Sequence, residues 1–158
     1  MKTEFRSLAS LLVLAAVGVL VIAGCGGGGS SSGAGSSEGS GDFVSGAEAA
    51  CAKANKQIVA LGTPQQEEVT AYIEETEVVI ETLHKEVAAL GASGAAETAY
   101  VEGLATAVPE LTKMSNAARN ENFDAVRELS AGLVEIKLGE LAEAAGLKTC
   151  AEVPVSES

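Results

Sequence analysis

Three features of the sequence predict an all-α fold, a four-helix bundle in up-down-up-down order stapled by one disulfide. Apolar residues recur at spacings of three and four after Ser45. Glycine, proline and capping residues divide that stretch into four helical pieces. Of the two cysteines within it, Cys51 falls in the first piece and Cys150 just after the last, and in such a bundle those places lie at the same end. The chain has 158 residues, 47% hydrophobic and 20% charged, which suits a single domain once a targeting segment is set aside.

The first helix is expected at 46–61. Ser45-Gly46-Ala47-Glu48 reads as a capping box, in which the serine accepts from the glutamate amide and the glutamate reaches back to the serine amide. Gly62 is a left-handed stop after Leu61, and Thr63-Pro64-Gln65-Gln66 supplies an N-cap, a first-turn proline and a capping glutamine for a second helix over 64–90. That helix carries Val69, Tyr72, Thr76, Val79, Leu83, Val87 and Leu90 on one stripe, widened by Ile73 and Ile80, and glutamates crowd its other faces. Gly91 closes it, and Ser93 caps a third helix over 94–119 with the stripe Tyr100, Leu104, Ala107, Leu111 and Met114. Pro109 removes one backbone donor there, but Val108 is a poor N-cap for a fresh helix, so a kink is expected rather than a break. Asn120 and Asn122 supply the next turn. Phe123, Val126, Leu129, Leu133, Ile136 and Leu141 then carry a fourth helix over 123–145, with Gly146 and Leu147 forming a Schellman ending. The domain is read as 45–151, and 152–158 as a flexible tail.

Cys51 and Cys150 are therefore placed to form a disulfide. Closing a loop of about 100 residues contributes roughly 4 to 5 kcal/mol in the chain-entropy model. The many alanines, with Gly103, Gly132 and Gly139, let helices approach closely but leave a thin core, a setting in which small exported domains use such staples. No Cys-x-x-Cys spacing occurs, so thiol-exchange chemistry has no support in the sequence.

The amino terminus has the layout of an export signal. Lys2 and Arg6 precede an uncharged run from Leu8 to Ala23, then Gly24 and Cys25. Ile22-Ala23-Gly24-Cys25, at the end of that run, resembles the lipobox of bacterial lipoproteins. The resemblance implies a signal peptide over 1–24 and a Cys25 that bears a thioether-linked diacylglycerol as the first residue of the mature chain. Two or more acyl chains suffice for stable membrane anchoring. The resemblance thus implies an extracytoplasmic domain on the cell membrane, or on an outer membrane if the host has one. Residues 25–44 read as a lipid-anchored Gly/Ser-rich linker, in which 16 to 18 residues of flexible coil span roughly 20 to 25 Å. Export also places Cys51 and Cys150 where disulfides persist.

Charge and composition then narrow the function classes. With 10 basic and 22 acidic residues the formal charge is −12, and loss of Lys2, Glu4 and Arg6 takes it to −13. Such a chain is unsuited to phosphate backbones and is repelled by anionic head groups, so no nucleic-acid partner is expected and the domain stands off the bilayer. Glu81-Thr82-Leu83-His84 has the Glu-x-x-His spacing of di-iron bundles, but those need two such motifs and this chain has one histidine. The acidic second helix lacks a compact Asp-rich loop of the kind calcium prefers, and a solvated face accounts for it. No metal ligand, cofactor or catalytic residue is expected. With five aromatic residues in all, Tyr72, Tyr100 and Phe123 are assigned to core packing. The expectation is a non-enzymatic binding or scaffold module near the membrane, with an envelope protein as partner. The alternative is a carrier of a metal ion or small ligand within the bundle, near Pro109.

Overall fold

The computed structural model describes residues 38–152. The stretch read as a signal peptide over 1–24, Cys25, the expected linker up to residue 37 and the expected tail from residue 153 lie outside the described residues. The described chain is helical, with no strand in it: α1 (Glu38–Leu61), a single 3-10 turn (Gln66–Glu68), α2 (Val69–Ala88), α3 (Ala95–Arg119), α4 (Phe123–Glu135), α5 (Leu138–Ala144) and α6 (Lys148–Ala151). No described helix is long and apolar enough to cross a membrane.

α1 begins at Glu38, eight residues before the expected start at 46 and inside the stretch read as linker. The reason is Phe43, which is 1% exposed and joins the core with Ala47, Ala50, Cys51 and Ala54. Burying one large aromatic outweighs the unfavourable propensity of the Gly and Ser residues around it. The Ser45–Glu48 capping box is consequently absent, because both residues sit inside the helix.

α2 runs antiparallel to both its neighbours. Lys53 pairs with Glu86 near the C-terminal end of α2, and Gly46, a turn or two earlier in α1, lies under Leu90 just beyond that end, where a Cβ at residue 46 would come within 2.7 Å of that leucine. On the other flank Thr70 Oγ1 donates to the Ala118 carbonyl, the Thr112 hydroxyl donates to Glu77, and Arg119 pairs with Glu74. The turns between these helices follow the stop signals. Gly62 and Gly91 take φ of +70° and +75°, the left-handed geometry that only glycine adopts freely. The capping residues fall one or two places later than expected. Gln65, not Thr63, precedes the 3-10 turn, its amide donating to the Glu68 carboxylate at 2.9 Å. Gly94 takes the N-cap position of α3, while Ser93 donates through its amide and its hydroxyl to Glu97. Glu97 is 5% exposed and also accepts from the Gly94 amide, so a buried carboxylate satisfies the donors at this helix end.

α3 continues through Pro109 without interruption. It ends in a Schellman arrangement in which the Glu121 amide donates to Ala118 and the Asn122 amide to Ala117. Glu121 occupies the left-handed position, at φ +55°. Asn122 then caps α4, its Oδ1 accepting from the Ala125 amide at 3.2 Å.

The fourth helix, expected unbroken over 123–145, is two helices. Lys137, at φ +55° and ψ +43°, separates α4 from α5. The physical cause lies in α3: a Cβ at Gly103 would meet Leu141 at 2.7 Å and Leu138 at 3.0 Å, so α5 rests directly on that glycine's backbone. The turn lets α5 descend there and bury Ala142 and Leu147 completely. α4 packs on α3 and buries no residue. Phe123, expected in the core, is 45% exposed. The ending of α5 is as the sequence predicts: Gly146, at φ +77°, donates to the Glu143 carbonyl and Leu147 to that of Ala142. The core accordingly gathers around Phe43, Val87, Tyr100, Leu104, Ala142 and Leu147, where α1, α2, α3 and α5 meet.

Candidate functional site

Three sequence-predicted sites can be followed in the described residues. Cys51 and Cys150, 99 positions apart, stand at disulfide distance with Cα atoms 5.1 Å apart. Cys51 is buried in α1, whereas Cys150 lies half-buried in α6. Around the sulfur pair, Tyr100 places its hydroxyl 3.4 Å from Cys51 Sγ, an O–H donating to sulfur. Burial, and secondarily the charge of Glu48, push this phenol up to about 12.

Glu48 itself does cap a helix, though not its own. Its carboxylate accepts from the Thr149 amide at 2.9 Å, in the first turn of α6. Hydrogen bonding from the Thr149 side chain first, then from the Thr149 and Lys148 amides, opposed by partial desolvation, holds it below the usual carboxylate range. Asn55 Nδ2 donates to the Thr149 carbonyl at 2.9 Å. The sequence offered no signal for this fastening of α6 to α1. It depends on residues 94 and 101 positions apart.

The Glu81–His84 pair is not drawn together into a ligand set. Glu81 accepts from Lys85 at 2.6 Å, an i, i+4 surface pair. Among the described residues no group of three or more His, Cys, Asp or Glu side chains is placed to hold a metal ion. Much of the acidic face of α2 is occupied by intramolecular partners: Glu74 by Arg119, Glu77 by Thr112 and Glu86 by Lys53. Exposed pairs of this kind contribute little stability each. They fix the register of α2 against its neighbours.

A groove of about 450 Å³ runs between the last turns of α1 and the first half of α2, lined by Gln57, Ala60, Leu61, Glu75, Val78 and Val79 among others. Val78 is 61% exposed at its edge. Pro109, the expected neighbourhood of a cavity, is not among the residues lining this groove. No family model, curated protein or solved structure matches the chain.

Proposed function

We propose that the protein is an extracytoplasmic lipoprotein, anchored to the cell membrane through Cys25, whose domain acts as a non-enzymatic binding or scaffold module. Its architecture is a disulfide-stapled four-helix up-down-up-down bundle in which α4 and α5 together form the fourth arm. The observation that carries this reading is the string Ile22-Ala23-Gly24-Cys25 at the end of an uncharged run behind Lys2 and Arg6. The Cys51–Cys150 pairing supports it independently, since disulfides persist in the compartments reached by export. The acidic balance suits a domain that stands off an anionic bilayer and meets an envelope protein.

Intact and native mass spectrometry of the protein purified from its own membranes tests the reading. The expected denatured mass begins at Cys25, carries a diacylglycerol with further acylation, and lacks two hydrogens for the disulfide. A full-length chain, or an unmodified Cys25, overturns the anchor. The native mass should equal the denatured one. A defined excess would transfer the assignment to a carrier, for which the α1–α2 groove is within the size range of ligand pockets.

A further inference from the structure

We infer that α4 is a strap that opens and closes as a unit, hinged at Glu121 and Lys137, while the rest of the domain stays folded. The same contrast appears in burial, in polar bonding and in backbone geometry. α4 spans thirteen residues and buries none of them, whereas α2 buries Ile73, Val79, Leu83 and Val87. Phe123 at one end is 45% exposed and Val134 near the other is 72% exposed. Among the described residues, no α4 side chain hydrogen-bonds to or pairs with another helix. Its polar contacts are local, Arg127 with Asp124 and the Asn122 cap. Both connections pass through a non-glycine residue in the left-handed region, Glu121 and Lys137, and among the described residues these two alone do so. That conformation persists only where the surroundings enforce it, so undocking α4 releases it at both ends.

What closes the strap is the half-buried stripe Val126, Leu129 and Leu133 against α3. Elements with few buried apolar contacts open at a fraction of the global free energy. Opening uncovers that stripe together with the length of α3 beneath it, an apolar face that the closed domain does not present. α5 stays behind, because Ala142 and Leu147 are fully buried beyond the Lys137 hinge.

Hydrogen exchange on the intact disulfide-bonded protein, followed by mass spectrometry, tests the inference. Amides of residues 123–135 should exchange at least about 100-fold faster, after correction for intrinsic rates, than amides around Leu104 in α3. A double variant, Glu121→Gly with Lys137→Gly, relieves the closed-state strain. It should slow α4 exchange roughly tenfold, and the α3 amides, which exchange on global unfolding, should slow by no more than that factor. Equal exchange in α4 and α3 would mean that α4 opens only with the whole domain, overturning the strap. Fast α4 exchange that the two glycines do not slow would overturn the hinge assignment. Should the double variant fold poorly, either single glycine alone should give part of the same slowing, and exchange unslowed in both single variants would overturn the hinges equally.

Discussion

α6 is four residues long and α4 is thirteen, yet the shorter helix is held far more firmly. α6 is joined to α1 by the Cys51–Cys150 pair, by Asn55 on the Thr149 carbonyl and by Glu48 on the Thr149 amide, with Leu147 fully buried just before it. α4 has regular geometry, a proper N-cap and an amphipathic pattern, but it rests on α3 through half-buried side chains alone. Helical character and attachment are therefore separate properties. The first follows from local sequence, the second from cross-links and completely buried area.

The largest effect should come from cutting the α6 fastening. Replacing both cysteines, Cys51→Ser with Cys150→Ser, should cost about 4 kcal/mol, as expected for a closed loop of this length, and lower Tm by roughly 20 °C in a circular dichroism melt. Hydrogen exchange at α6 should rise with it, and unchanged exchange there would show that Glu48, Asn55 and Leu147 hold the helix by themselves. Next in size is a matched pair of core deletions. Leu104→Ala, at a residue 1% exposed, should cost about 3 kcal/mol, and Leu129→Ala on α4 should cost no more than about 1 kcal/mol. Equal losses in chemical denaturation would abolish the distinction between the two regions.

The sulfur end also carries a pH signature. The Tyr100 phenol has a folded value of about 12 against an ordinary 10, so its neutral form is favoured by folding. Its stabilisation is full below pH 10 and is lost as pH rises toward 12, by up to about 2 kcal/mol. Glu48 has the opposite sense: its depressed value stabilises the fold above the ordinary carboxylate range and is lost as pH falls below it. Alkaline melts should therefore show Tm falling between pH 10 and 12, with a flatter profile in Tyr100→Phe. An identical slope in that variant would remove Tyr100 as the cause.

How much of this was legible in the sequence depends on the range of the interaction. Gly62, Gly91 and Gly146 mark three helix ends correctly, because a left-handed stop is a local steric event that glycine satisfies. The cysteine pairing was legible because an antiparallel order of helices is expected to return the end of the domain to its start, and Cys51 and Cys150 do stand at disulfide distance. The start of α1 was not, since Gly and Ser around Phe43 argue locally for coil and the burial that overrides them comes from distant helices. The break at Lys137 was hidden for the converse reason. No glycine or proline stands there, and the demand arises from Gly103, thirty-four positions away, where Leu138 and Leu141 rest. Glu48 was recognised as a capping residue but assigned to the wrong helix.

Glu121 offers the smallest and sharpest test of the contrast. It fills the left-handed place in the Schellman ending of α3, with the Asn122 amide closing onto Ala117 and its own onto Ala118. A side chain there costs about 1 kcal/mol relative to glycine, so Glu121→Gly should stabilise by somewhat less than that once the freer unfolded chain is counted. The same replacement one helix further on, Glu128→Gly, falls where the backbone is α-helical and exposed, and should destabilise α4 by about 1 kcal/mol. Two identical substitutions seven residues apart should thus shift the melt in opposite directions. If both lower Tm, the left-handed junction before α4 is not strained, and the strap loses one of its hinges.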